Sequence, residues 1–325
     1  MSEYKIQLFT KGKKLPQLQC DDFFHSEELF HIMENSQRQR PYMAVAYKED
    51  GEIVAHMLAY INHRKMCLPP FLYSQGRIYG EGEYKYETDK ELIFSLMLRE
   101  ITRKLRRKLC LYIEFSDLST KMFGYKYFRK EKYFPVNWQE VHNSLHSLPP
   151  VERLSEKMKE RIRKSYRVGV ETREAKTGEE VHSFYKLLNG FYRFKLRRII
   201  PEENHISQLY ASDNVRIFLT LFKGKVIGGC VCVFSNGNAF LWYLASKRKR
   251  YALLHPNLMT VWEAITWSWK HNYAHINFLD VGLPFHKNPF RDFILSFGGK
   301  PVGKYRWFRI NIPWVNTLLG YFYRE

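Results

Sequence analysis

The sequence is poor in cysteine, with only Cys20, Cys67, Cys110, Cys230 and Cys232 in 325 residues. An odd count without a CxxC pair excludes a disulfide framework and a cysteine-rich zinc site, and no metal is expected. Cys230 and Cys232 lie two apart in an apolar run, so on a strand they share one face as free core thiols. No stretch reaches the roughly 18 apolar residues of a membrane span. The charged segment Met1–Lys14 carries no apolar signal core, so a cytoplasmic protein is expected. Acidic residues are scarce beside basic ones, 33 against 52, for a formal charge of +19. That excess calls for a negatively charged partner: RNA, an anionic membrane surface or a phosphate-bearing substrate. RNP, zinc-finger and helix-turn-helix signatures are all missing, which counts against a purely RNA-binding protein. Aromatic residues, at 16%, and apolar residues, at 45%, are plentiful and exclude a disordered chain. The length corresponds to about two domains.

The same order of elements occurs twice. A helix near Ser26–Ser36 precedes two extended runs, Tyr42–Tyr47 and Ile53–Ile61, around the turn Glu49-Asp50-Gly51. Thr88-x-x-Glu91 then reads as a capping box. It opens a helix with Leu92, Ile93, Leu96, Met97, Ile101 and Leu105 at helical spacing. A strand at Leu109–Phe115 and the aromatic, basic segment Tyr125–Phe134 close the unit. Thr177-x-x-Glu180 starts the second round with Val181, Phe184, Tyr185, Leu188 and Tyr192 inward. Val215–Phe222 and Val226–Phe234 form a hairpin, and Asn236-Gly237 turns into a third strand at Ala239–Ala245. Pro256 begins a helix, followed by strands at His275–Val281 and Val302–Ile310. Duplication of one α/β unit explains this order, with domains expected at 1–150 and 151–325. Gly80-x-Gly82 lacks the strand–helix setting of a dinucleotide loop and reads as a turn.

Between the rounds, Leu154, Met158, Ile162 and Tyr166 form an apolar stripe on a basic helix that stops at Gly169. The segment Arg161–Val170 resembles the junction of FemAB-like proteins, where such a helix runs into a strand. Lys225-Val-Ile-Gly-Gly229 resembles a GNAT-fold hairpin. His255-Pro-Asn-Leu-Met259 with Trp262, then His275–Gly282 and Phe290–Lys300, resemble the later elements of the same family. The order of these segments suggests a member of the FemAB-like branch of the GNAT superfamily, built from two tandem mixed-sheet units.

That resemblance implies a transferase moving an acyl or aminoacyl group from acyl-CoA or aminoacyl-tRNA to an amine. In the peptidoglycan-bridge enzymes of the family the acceptor is a cell-envelope precursor. The chemistry needs positioning, a proton acceptor and an oxyanion donor. Carrier phosphates are expected where the strand Ala239–Ala245 meets the helix at Pro256. The family has a glycine-rich loop there; this chain has Lys247-Arg248-Lys249-Arg250 after Ser246, so side chains replace glycine amides, with Asn257 beside them. His255 and Asp280 are the candidate catalytic residues: an imidazole that titrates near neutrality and a carboxylate at a strand end. Tyr192 and Arg198, at the end of the second unit's first helix, match the family's acceptor-side position, and Lys287 and Arg291 can reach an anionic acceptor. A degenerate GNAT-like scaffold is the alternative if the missing glycines mark lost catalysis. Pro313–Glu325 is amphipathic and aromatic. Packing on the second unit is the simpler expectation for it, and contact with the inner membrane face the other.

Overall fold

The computed structural model describes residues 4–65, 72–116, 124–192, 200–279 and 281–323. The chain divides into two compact units, 1–137 with 304–325, and 138–303. The division therefore does not fall at 150, and the C-terminal segment returns to the first unit instead of packing on the second.

The first unit contains β1 (Tyr4–Phe9), α1 (Glu27–Glu34), β2 (Gln39–Lys48), β3 (Ile53–Lys65), β4 (Leu72–Tyr79), β5 (Glu83–Tyr84), α2 (Lys90–Arg107), β6 (Tyr112–Ser116) and α3 (Tyr125–Lys130). β7 (Phe134–Ser144) starts in the first unit and ends in the second. The second unit continues with α4 (Glu156–Arg167), β8 (Val170–Glu174), α5 (Gly178–Tyr192), α6 (Glu203–Tyr210), β9 (Val215–Phe222), β10 (Lys225–Ser235), β11 (Asn238–Ser246), α7 (Pro256–Lys270), β12 (His275–Phe278) and α8 (Pro289–Leu295). β13 (Lys300–Ile310) leads back to the first unit, where α9 (Pro313–Phe322) ends the described chain.

Both units use one strand plan. In the first, β1, β2, β3 and β4 pair antiparallel in sequence, β4 pairs β6 in parallel, and Arg306–Ile310 of β13 close the sheet antiparallel to β6. In the second, β8, β9, β10 and β11 pair antiparallel, β11 pairs β12 in parallel, and Val141–Ser144 of β7 close antiparallel to β12. The closing strands are exchanged: β7, which ends the first round, completes the second sheet, and β13 completes the first. Each pairing is non-local, so neither strand's destination is written in its local pattern.

In the first unit Phe94, Met97, Ile101 and Leu105 of α2 pack on the sheet with Ile113, Phe115 and Trp307. Thr88 does not cap this helix: its N-cap is Asp89, in the left-handed region at φ 60 and without a side-chain cap. On β6 the carboxylate of Glu114 is buried. Its Oε1 accepts from Arg306 of β13 at 2.9 Å and pairs with Arg77, and its Oε2 accepts from Gln75 at 2.8 Å. A buried carboxylate holds only when so matched, and this match ties the exchanged strand in place.

In the second unit the core joins Cys230, Cys232, Leu241, Met259, Ile265, Phe278 and Phe297. Met158 and Ile162 of α4 enter it as their spacing predicts; Leu154 also enters it, but from extended backbone before the helix, and Tyr166 stays 42% exposed. Glycine brings helices close to β10. A Cβ at Gly229 would lie 2.5 Å from the Phe184 ring of α5, and one at Gly228 would lie 2.6 Å from Thr260 of α7. Asn236 and Gly237 adopt φ 48 and 69, the left-handed pair that the expected hairpin turn needs. α6 had no clear signal in the sequence.

Candidate active site

In the second unit β11 and β12 part company among the described residues. β11 pairs β12 only through Ala239–Leu241 with Ile276–Phe278, while Trp242–Ser246 run on beside β10. A β-bulge lies at the start of this stretch: Val231 opposes Tyr243 and Cys232 opposes Leu241, leaving Trp242 as the extra residue. A bulge re-aims the strand and turns backbone groups out of the ladder, as occurs beside active sites. Tyr192, the last residue of α5, donates its hydroxyl to the Leu244 carbonyl at 3.2 Å, which sets it against this stretch of β11. Arg198 and Asp280 lie outside the described residues.

From Ser246 the chain leaves the sheet into the cationic turn. The Lys247 amide donates to Ile227, and the amides of Arg250 and Tyr251 both donate to the Lys247 carbonyl at 3.0 Å. His255 precedes α7 with left-handed backbone, φ 47, and no side chain caps the helix. Pro256 has no amide hydrogen to offer, so the positive end of a 15-residue helix is presented by the Asn257 and Leu258 amides of its first turn, ahead of the first intrahelical bond from Met259 to His255. Ser246 donates its hydroxyl to Asn257 Oδ1, which fixes the end of β11 to the first turn of α7.

This helix end opens on a cavity of about 480 Å³, within the range of small-ligand sites. Arg161, Arg248, Lys249, His255 and Asn257 line its polar side; Met158, Leu258, Phe290 and Phe293 line its apolar side. The four-cation run is thus divided. Arg248 and Lys249 reach the cavity, whereas Lys247 and Arg250 do not line it, and the Arg250 guanidinium lies 5.8 Å from the Tyr251 ring. Arg161, on α4, is a site residue that sequence reasoning left among the flanking charges of the basic helix. Burial, then the positive charges of Arg161 and Lys164, lower the pKa of His255 below its ordinary value. The imidazole is therefore neutral near pH 7, and an anion in the cavity would favour its protonation.

Arg291 is engaged elsewhere. Its guanidinium donates to the carbonyls of Leu283 at 2.8 Å and His286 at 2.9 Å, holding the loop before α8, and Lys287 is exposed on that loop. A further polar pair was not anticipated: Glu140 of β7, almost wholly buried, lies 3.2 Å from His142 Nε2. Its signal was absent because β7 had no expected place in this sheet. Among the described residues no group of three or more His, Cys, Asp or Glu side chains is placed to hold a metal ion.

Residues 153–287 match the family described as acetyltransferase (GNAT) domain. The match covers most of the second unit, and the repeated strand plan gives the chain a tandem GNAT-like fold. The structure is similar to the crystal structure of FemX, with a TM-score of 0.62 at 10% identity, covering 95% of this chain and 96% of that one. It is also similar to L-PGS from Bacillus licheniformis, with TM-score 0.57, 13% identity and 91% and 93% covered. A tandem GNAT protein from the clavulanic acid biosynthesis pathway gives TM-score 0.54, 9% identity and 94% and 99% covered. No curated protein matches the sequence.

Proposed function

We propose that the second unit binds the phosphates of an activated carrier, acyl-CoA or aminoacyl-tRNA, at the N-terminus of α7, and passes its acyl group to an amine. The observation that carries this is the 15-residue helix end without a side-chain cap, facing a cavity lined by Arg161, Arg248 and Lys249. Aligned amides and three cations suit a pyrophosphate or nucleic-acid backbone, and they supply by side chain what a glycine-rich loop supplies by backbone.

The carrier provides the activated carbonyl. In the transfer a nitrogen–carbon bond forms, the carbon–sulfur or carbon–oxygen bond breaks, and the amine gives up a proton. The splayed stretch Trp242–Ser246 offers backbone amides where the developing oxyanion needs donors. Tyr192 borders the same stretch and is assigned to the acceptor side. His255 and Asp280 are assigned as proton acceptors, and His255 is already held neutral in the free protein, as a base requires. Lys247 and Arg250 add to the local positive potential, and Arg291 orders the loop that carries Lys287. The acceptor is assigned to the amine of a cell-envelope precursor, as the sequence's resemblance to the FemAB-like family implies.

The test is binding of the nuclease-treated protein to CoA, acyl-CoA and aminoacyl-tRNA, side by side at physiological salt, followed by single-turnover transfer to an amine. Binding of either carrier that weakens on substituting Arg161 supports the reading. RNA binding without transfer, or no binding of any carrier, overturns it. Normal turnover of Asp280→Asn at every pH would remove that carboxylate from the chemistry.

A further inference from the structure

The residues Pro313–Phe322 carry no charged side chain, yet α9 is not buried. Trp314 is 72% exposed, Tyr321 72% and Phe322 70%, with Leu318 at 48%. Positions 314, 318 and 321 recur at helical spacing, and Phe322 adjoins them, so the exposed apolar groups form one outward stripe. The opposite side is anchored. Asn316 accepts from the Ile310 amide at 2.7 Å and donates to the Lys132 carbonyl at 3.0 Å, and Tyr323 stacks on Phe134. The helix is therefore held in a defined orientation with its aromatic stripe facing outward.

Its surroundings are basic. The Asn311 amide donates to the Leu111 carbonyl at 2.9 Å and the Arg309 guanidinium donates to the Glu131 carbonyl, which places the start of α9 between the ends of α2 and α3. Those ends carry exposed Arg106, Arg107, Lys108, Arg129, Lys130 and Lys132. Arg106 is near enough to Arg309 to lower its pKa, behind the larger effect of burial. Leu109, in left-handed conformation at the end of α2, adds an apolar residue 84% exposed. Trp and Tyr rings beside a cluster of Arg and Lys match the two layers of a bilayer surface, the acyl boundary and the anionic headgroups. No helix among the described residues is long and apolar enough to cross a membrane, so any such contact through these helices is peripheral.

We propose that α9, with the basic ends of α2 and α3, docks the protein on an anionic membrane surface, the aromatic stripe entering the interface and the cations meeting headgroup phosphates. This deepens the reading of an envelope-precursor acceptor, but it stands on the first unit's surface and is tested without donor or acceptor.

The experiment is flotation of the full chain with vesicles of phosphatidylcholine alone and with added phosphatidylglycerol, for the parent, for a Trp314→Ala, Tyr321→Ala, Phe322→Ala variant, and for an Arg107→Ala, Lys108→Ala, Lys132→Ala variant. The parent is expected on the anionic vesicles, less so as salt rises, and each variant should partition roughly tenfold or more weakly with an unchanged melting temperature. Equal partitioning of parent and variants overturns the proposal, as does equal binding to both lipids. Self-association abolished by the aromatic substitutions, with no vesicle binding, also overturns it by assigning the stripe to a second copy. Carrier binding by the same variants is expected to remain at the parent level, so failure here is distinguishable from failure of the transferase reading.

Discussion

Replacing Arg248 and Lys249 together by alanine removes two of the three cations that line the cavity at α7. A charge-assisted contact to phosphate contributes roughly 1.5–3 kcal/mol. Both side chains are exposed, so solvent screening puts each near or below the lower end of that range. The pair should then contribute about 2–3 kcal/mol, a loss of carrier affinity of about thirty- to 150-fold. The matched control is Lys247→Ala with Arg250→Ala, which removes the same formal charge from the same turn but from positions that do not line the cavity. It should cost less than about threefold, through the general field alone. Titration calorimetry with acyl-CoA, and filter binding with aminoacyl-tRNA, measure both variants against the parent. Equal losses would show that the turn acts as a diffuse positive patch; no loss from Arg248 and Lys249 would remove the phosphates from this cavity.

Gly228→Val places atoms where Thr260 and the Pro256 carbonyl already lie, so the first turn of α7 must move. A destabilisation of about 1–3 kcal/mol is expected in denaturant titration, together with weaker carrier binding. Glu114→Ala leaves Arg77 and Arg306 buried without their shared carboxylate, and should cost roughly 3–5 kcal/mol. An effect below about 1 kcal/mol would mean the cluster does not hold β13. His56 and His205 are pushed down to about 3, chiefly by burial. Between about pH 6.5 and 3 the unfolded chain takes up protons that the folded one refuses. Stability should therefore be complete above that window and fall through it by up to about 1.4 kcal/mol per pH unit for each histidine. Urea midpoints at pH 7 and pH 5 that do not differ would refute this. Carrier binding should tighten as pH falls toward the lowered pKa of His255, because the bound phosphate favours the imidazolium; a flat profile would separate His255 from the phosphates.

Sequence alone determined most of what is local. Most of the helix faces of α2, α5 and α7, the Asn236-Gly237 hairpin, the stop at Gly169 and the start at Pro256 follow from spacing and backbone preference, because each depends on residues a few positions apart; Leu92 and Trp269, expected inward, lie exposed at the edges of those faces. The repeated element order, and with it the tandem α/β architecture, was legible for the same reason. The position of the cationic turn between β11 and α7 could also be read from it. Thr88 shows the limit of local rules: its capping signature is present, but the chain enters α2 through a left-handed Asp89.

Only the tertiary structure decided the rest. The exchange of β7 and β13 between units depends on pairings across long stretches of chain, such as Arg306 with Glu114, which no local pattern encodes. The same exchange placed α9 in the first unit with its aromatic stripe outward, where packing on the second unit had been expected. Which of four consecutive cations face the cavity depends on how one turn folds, and the third lining cation, Arg161, arrives from a helix 87 positions before Arg248 (248 − 161). Composition specifies that positive charge must meet something negative; only the folded chain sets where that charge converges.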